Sequence, residues 1–171
     1  KIVLLGSSAG AEAVLHAAYW NAPRKDENGR ILSPDFAYGG VVSMAGAITD
    51  LKLITANSAI PTQLFHGTCD NLVPYGKAPH HYCPVDSPGF LMLYGAHAIM
   101  KRLQTLGKAY YLVTGCYGRH EWNITPILKH TAAITDFMLY DVVKDTHRQI
   151  HWILPSDKEP CPGYNSWHFC R

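Results

Sequence analysis

The sequence predicts an α/β fold in which a parallel sheet carries helices on both faces. Two observations support this class: short, nearly continuous apolar runs recur along the chain, and segments with helical spacing of apolar residues separate them. Strands that alternate with helices form βαβ units, and right-handed crossovers then place helices on both faces of the sheet. The 171 residues suffice for one domain with a sizeable core.

Four apolar runs are predicted to be the strands of this sheet. They lack the polar alternation of a strand with one wet face, so each is expected to be buried on both faces. They lie at residues 1–5, 40–45, 62–66 and 109–114.

Three helices and one shorter helix are predicted around these strands. In the second long helix the apolar residues fall on one face, and Gly107 follows it as a C-terminal cap. Pro126 suits a first helical turn and could move the start of the last helix a few residues later. The predicted ranges are 11–20, 50–54, 90–106 and 121–145.

Residues 6–10, Gly-Ser-Ser-Ala-Gly, join the first strand to the first helix and fit the pattern G-x-S-x-G with Ser8 at its centre. A strand–turn–helix context is what a nucleophile elbow requires, because a strained turn lifts the serine hydroxyl above the sheet. Gly6 and Gly10 are expected to remove side chains where strand and helix nearly touch. Two alternatives stay open: a Gly/Ser-rich turn without chemistry, and Ser7 as the nucleophile.

Asp70 and His120 are candidates for the acid and the base that a serine nucleophile needs. Asp70 follows the third strand and His120 follows the fourth, so both should lie beyond the carboxyl ends of their strands. Asp86, deeper in the same loop, is a rival acid. His120 taken alone would read as an ordinary histidine at a helix start.

Three segments together resemble the C-terminal half of an α/β-hydrolase of the carboxylesterase or lipase type. They are the elbow at residues 6–10, the run His-Gly-x-x-Asp-x-x-Val-Pro-Tyr at 66–75, and Gly-x-His-Glu-Trp at 118–122. The order Ser, Asp, His is also that of α/β-hydrolases. The resemblance covers residues 1–146 and leaves 147–171 as an irregular tail, rich in cysteine and aromatic residues, packed on the domain.

The resemblance implies a serine hydrolase that cleaves small-molecule carboxylic esters through an acyl-enzyme intermediate and needs no cofactor. Ser8 would be the nucleophile, Asp70 the triad acid, His120 the general base and acid, and the Ala9 N–H one oxyanion donor. The alternatives are a serine peptidase of the prolyl-oligopeptidase type on the same fold and a non-catalytic, hydrolase-like binding module.

The family's strands before the elbow, and the loop that supplies its second oxyanion donor, have no counterpart in residues 1–171. We therefore expect an N-terminal half of the hydrolase domain, upstream of Lys1, to pair with the strand at residues 1–5.

The aromatic and metal-ligating residues near these segments allow two interpretations each. Tyr75 and Trp122 could line the substrate pocket or simply pack in the core. His80, His81 and Cys83 could suggest zinc, but no second ligand pair has metal spacing, so loop residues without a metal are favoured.

Composition excludes several other classes of function. The net charge is +2, and no basic run is long enough to predict nucleic-acid binding. No apolar stretch reaches about 18 residues, so no membrane span is expected.

The five cysteines leave at least one unpaired within the chain. Cys161 and Cys170 are predicted to form a local disulfide, because Pro162 and Gly163 between them can turn the chain. Such a disulfide would favour a secreted or periplasmic location, and five reduced thiols are the alternative.

Overall fold

The computed structural model describes residues 1–20, 25–33, 36–161 and 167–170. In chain order the strands are β1 (Val3–Ser7), β2 (Gly40–Met44), β3 (Ala47–Ile48), β4 (Thr62–Gly67), β5 (Lys77–Pro79), β6 (Met92–Gly95), β7 (Tyr110–Gly115) and β8 (Gln149–Leu154). Five of them form one parallel sheet in the order β1-β2-β4-β7-β8, and the three short strands form an antiparallel sheet in the order β3-β6-β5. The α/β class and the four predicted strands are confirmed.

Helices pack on both faces of the parallel sheet. Because successive residues of a strand point to opposite faces, neighbouring strand residues belong to two different cores. Val41, Leu64 and Leu112 face a core that includes Leu15 and Ile99 from the first two helices. The described helices are α1 (Ala9–Tyr19), α2 (Ala96–Thr105), α3 (Thr125–Lys129) and α4 (Thr131–Phe137). The other face carries the core of Val42, Phe65, Val113 and Phe137.

Both longer helices predicted after residue 89 differ from the observed ones, and the short helix predicted at 50–54 is a 3₁₀ turn at Leu51–Leu53. The segment predicted as one helix at 90–106 begins with strand β6 and becomes helical only at Ala96, because Tyr94 pairs with both β3 and β5. The predicted helix at 121–145 is divided into a 3₁₀ turn, α3, α4 and a π-helical turn. Pro126 lies in the first turn of α3, as predicted, and the backbone leaves helical geometry at His130.

The prediction of an irregular tail after residue 146 is wrong for Gln149–Leu154, which forms β8. This strand pairs with β7 along its whole length, from Tyr110 opposite Gln149 to Gly115 opposite Leu154. The Arg148 guanidinium holds the chain at the start of β8 by ion pairs to Asp136 at 2.7 Å and Asp141 at 2.6 Å.

The predicted Cys161–Cys170 disulfide is also wrong. The structure pairs Cys69 with Cys161 and Cys116 with Cys170. Cys69 lies in the loop after β4, and Cys116 lies in the loop after the adjacent strand β7. Each of these loops is therefore joined by a disulfide to one cysteine of the tail. Pro162 and Gly163, on which the local turn rested, lie outside the described residues. Cys83 has no disulfide partner.

Strand β1 forms one edge of the parallel sheet. It pairs with β2, and no described strand pairs with its other side. The expectation that residues 1–5 are buried on both faces is therefore not met by the described chain, since Ile2 is 56% and Leu5 46% exposed.

None of the described helices combines the length and apolar character that crossing a membrane requires.

Candidate active site

Ser8 occupies the sharp turn between β1 and α1. Its backbone has φ 53° and ψ −124°, a conformation that non-glycine residues adopt only under constraint from their surroundings. The constraint comes from both sides, because the Ser8 N–H donates to the Met44 carbonyl at 2.9 Å and the Ser8 carbonyl accepts from Ala11 at 2.8 Å. The strained turn predicted for this position is present, and Ser7 is turned away to donate to the Asn123 carbonyl at 2.7 Å.

The two glycines of the elbow differ in what they contribute. A Cβ on Gly6 would lie 2.2 Å from the Gly10 carbonyl oxygen, whereas a Cβ on Gly10 would meet nothing within 4 Å. The expectation that both remove a collision is right for Gly6 and wrong for Gly10, because Gly10 lies on the exposed side of the first helical turn.

We expect Gly6→Ala and Gly10→Ala to change stability in opposite directions. Gly6→Ala forces strand and helix apart and should lower the free energy of unfolding by about 1–3 kcal/mol. Gly10→Ala replaces an exposed helical glycine and should raise it by about 0.5–1 kcal/mol. Urea unfolding of both variants checks this, and equal destabilisation by the two would contradict the elbow geometry.

His120 lies between Ser8 and Asp70. Its Nε2 is 2.8 Å from Ser8 Oγ and its Nδ1 is 2.8 Å from Asp70 Oδ2. A carboxylate can only accept, so Nδ1 carries the proton and Nε2 is left to accept from the serine hydroxyl. Asp70 is fully buried, while the His120 side chain is 18% exposed and so can be reached from solvent. The structure thus brings all three predicted residues together in one hydrogen-bonded series.

Four donors surround the Asp70 carboxylate. Oδ1 accepts from the backbone N–H of Leu72 at 2.9 Å and of Val73 at 3.0 Å, and Oδ2 faces His120 and His66. Burial acts to raise the pKa of Asp70, but the hydrogen bonds from His66, from His120 and from the Leu72 N–H outweigh it and hold this pKa at about 2. The carboxylate is therefore ionised at neutral pH.

We expect Asp70 to make stability depend on pH in the acid range. Its pKa falls from an ordinary 3.8 to about 2 on folding, so its contribution is present above the ordinary value and is lost as the pH falls through the folded one. The size should be about 2 kcal/mol. In urea unfolding, the difference between wild type and Asp70→Asn should shrink between about pH 5 and pH 2. A constant difference across that range would contradict the assignment.

The loops that carry Asp70 and His120 are held against each other by close backbone contacts. The Cys69 N–H donates to the Gly118 carbonyl at 2.8 Å, and the Tyr117 N–H donates to Thr68 Oγ1 at 2.8 Å. A Cβ on Gly67 would lie 2.3 Å from the Gly118 carbonyl oxygen, so the approach requires glycine.

Trp122 and Tyr75 are both buried and pack in the core. The Trp122 indole is buried against Gly115 and Gly118, where a Cβ on either glycine would collide with it. Tyr75 is buried and its hydroxyl lies 2.6 Å from Thr114 Oγ1, with its ring edge-on to Trp167 of the tail. These contacts agree with the packing interpretation, and the role of the two side chains in a substrate pocket stays a prediction.

The disulfides join the tail to these same two loops. Cys69, which precedes Asp70, is bonded to Cys161, and Cys116, which begins the loop to His120, is bonded to Cys170. Sequence reasoning missed this pairing, although the position of Cys69 and Cys116 directly after two predicted strands was a usable signal.

The remaining candidates lie apart from this series. Asp86, the rival acid, is exposed on its loop. Within the described residues, no group of three or more histidine, cysteine, aspartate or glutamate side chains has the arrangement of a metal site, so His80, His81 and Cys83 do not form one. Ala9 begins α1, and its N–H belongs to the first helical turn, where backbone donors lack intrahelical acceptors.

Comparison of the chain with models of known families, with curated proteins and with solved structures found no match. A serine hydroxyl on a strained turn, bonded to an imidazole whose other nitrogen donates to a buried carboxylate, can transfer its proton to that imidazole and attack an electrophilic carbon.

Proposed function

We propose that this chain is the C-terminal half of an α/β-hydrolase domain and that it hydrolyses carboxylic esters with Ser8 as nucleophile. The observation that carries the proposal is the continuous series from Ser8 Oγ through His120 to Asp70, with both links at 2.8 Å. The order of the three residues along the chain, their places beyond parallel strands and the strained backbone at Ser8 support it.

In the proposed reaction His120 Nε2 takes the proton of Ser8 as Oγ attacks the acyl carbon of the ester. Asp70 keeps the imidazole in the tautomer that can accept this proton and stabilises the imidazolium that forms. The imidazolium then protonates the departing alcohol, leaving the acyl group on Ser8. Water, deprotonated by His120, attacks the acyl-enzyme. The imidazolium then returns this proton to Ser8 Oγ as the bond to the acyl carbon breaks and the carboxylic acid leaves, so the cycle requires no cofactor.

The Ala9 N–H is proposed as one donor to the tetrahedral oxyanion, since it directly follows Ser8 at the start of α1. The two disulfides are typical of proteins in oxidising compartments, which supports a secreted or periplasmic location.

The experiment that tests the proposal uses a fluorophosphonate probe, which phosphonylates activated serines. The wild-type protein should be labelled at Ser8 and should hydrolyse p-nitrophenyl acetate faster than a dipeptide anilide. No labelling of the folded protein would overturn the proposal in favour of a binding module. Faster cleavage of the amide than of the ester would overturn the ester assignment in favour of a peptidase.

We also propose that a strand from the N-terminal half of the domain pairs with the open edge of β1 and that its loop gives the second oxyanion donor. The exposed side chains of Ile2 and Leu5 at this edge support the proposal, because proteins rarely leave an apolar strand edge uncovered. Lack of one oxyanion donor should cost about 10²–10³-fold in rate. Residues 1–171 should therefore be far less active alone than together with the proposed N-terminal half. Equal activity would contradict this pairing.

A further inference from the structure

His66 is a fully buried histidine that the proposed reaction has not yet used. It lies near the end of β4, on the strand that leads to Asp70, and its side chain has no exposed surface. A histidine is rarely buried without partners, since both ring nitrogens are polar. Its contacts therefore indicate what it does.

The proton on His66 can be placed from the groups around Nε2. This nitrogen lies 3.1 Å from the Val73 carbonyl oxygen and 3.4 Å from Asp70 Oδ2. Both are acceptors only, because Asp70 is ionised, so Nε2 must carry a hydrogen shared between them. Val73 therefore contacts both residues: its carbonyl accepts from His66 Nε2, and its N–H donates to Asp70 Oδ1.

The other nitrogen, Nδ1, is buried and has no hydrogen-bond partner among the described residues. An unpaired buried N–H, and a charged ring above all, would be costly here, whereas a bare lone pair is the cheapest state. The ring is held edge-on to Tyr75 at 5.7 Å between centroids, so it cannot simply turn to find another partner. The geometry therefore describes a neutral imidazole with its proton on Nε2.

We propose that His66 is a positioning residue for the ester hydrolysis proposed above: its neutral imidazole donates from Nε2 to Asp70 Oδ2 and to the Val73 carbonyl, and so keeps the acid ionised and aimed at His120. This inference rests on the proposed function. Oδ2 then faces two imidazole N–H groups, at 3.4 Å from His66 Nε2 and 2.8 Å from His120 Nδ1, and rotation of the carboxylate would weaken both contacts. A leucine at this position would fill the space without supplying the donor.

The test compares His66→Leu, which removes the donor, with His66→Gln, whose amide nitrogen can replace Nε2. Gln63→Leu is the matched control, because Gln63 is a fully buried polar residue of the same strand that donates to the Ala133 carbonyl at 2.9 Å. Hydrolysis of p-nitrophenyl acetate is measured against pH for each folded variant. His66→Leu should lower kcat by about 10–100-fold with little change in KM.

The acid limb of the kcat/KM profile should move to higher pH in His66→Leu, because a carboxylate that has lost one donor stabilises the His120 imidazolium more strongly, and the imidazolium cannot accept the Ser8 proton. His66→Gln should restore most of both effects, and Gln63→Leu should leave the profile in place. Among the described residues, titratable groups near this series include Tyr75, whose pKa is raised by burial, and Glu12, whose pKa is raised by burial against opposing charge interactions with several histidines, His120 among them. Repeating the profiles in a Glu12→Gln background removes the contribution of Glu12.

Nitrogen-15 NMR of the imidazoles in the wild-type protein gives a readout that needs no variant to fold. His66 should show a protonated Nε2 and an unprotonated Nδ1. The reverse tautomer, or a doubly protonated ring at neutral pH, would overturn the inference, as would an active wild type with an unchanged rate and profile in His66→Leu. A wild type that neither labels with fluorophosphonate nor hydrolyses esters would instead overturn the proposed function, and this inference with it.

Discussion

Ser8→Ala should lower kcat for ester hydrolysis by about 10⁴-fold or more. The hydroxyl is the group that attacks the acyl carbon in the proposed reaction, and alanine leaves His120 and Asp70 in place with nothing to deprotonate. Alanine keeps the Cβ at the same strained backbone position, so the fold should be retained. Steady-state hydrolysis of p-nitrophenyl acetate, with thermal unfolding to check the fold, measures the effect.

Ser7→Ala is the matched control for this prediction. Ser7 is the neighbouring serine of the same turn, and its hydroxyl donates to the Asn123 carbonyl rather than to His120. This variant should keep most of the activity and all of the fluorophosphonate labelling. Near-normal turnover in Ser8→Ala, or loss of labelling in Ser7→Ala, would refute Ser8 as the nucleophile.

The central strands could be predicted from the sequence because they are buried on both faces and carry nearly unbroken apolar runs. Strand β8 was missed for the opposite reason. It lies at the edge of the sheet, and its sequence includes the exposed Gln149 and the polar His151. These residues interrupt the apolar run, so the sequence of β8 does not differ clearly from that of a loop. The division of the last helical region was missed because apolar spacing reports which residues face the core and not where the backbone turns.

The three residues of the site could be predicted together because parallel strands end at one edge of the sheet, which brings distant residues to one place. What could not be predicted depends on side-chain packing. The same tyrosine, Tyr75, could line a pocket or fill the core, and only its contacts with Thr114 and Trp167 favour packing. His66 is the first residue of the motif at 66–75, but its proposed role depends on the direction in which one ring nitrogen points. The spacing of residues along the chain does not specify that direction.

The cysteine pairing shows a different limit. Closeness along the chain favoured Cys161 with Cys170, whereas the fold brings each of them to a loop far away in sequence. A disulfide requires Cα atoms within about 7 Å of each other, and that distance is set by the path of the whole tail.

Asp70→Asn should lower kcat by about 10⁴-fold, as much as a change that removes the side chain. The reason lies in the orientation that the site imposes on the amide. Two backbone N–H groups, from Leu72 and Val73, point at Oδ1, so the amide oxygen of asparagine must occupy that position. The amide nitrogen then faces His120 Nδ1 and His66 Nε2, where the native site has an acceptor.

A donor placed opposite His120 Nδ1 forces that nitrogen to be the acceptor, which moves the imidazole proton to Nε2. An imidazole protonated at Nε2 can no longer take the proton of Ser8, so the loss should be in kcat at neutral pH while KM changes little. Asp70→Ala places no donor opposite His120 Nδ1, so either tautomer of His120 can form. This variant should be no less active than Asp70→Asn.

Asp86→Asn is the control, because Asp86 is the exposed rival acid in the loop that follows β4. Its activity should match that of the wild type. The activity of the three variants is measured with p-nitrophenyl acetate. A larger loss of kcat in Asp86→Asn than in Asp70→Asn would assign the triad acid to Asp86. An Asp70→Asn variant clearly more active than Asp70→Ala would show that Asp70 does not control the tautomer of His120.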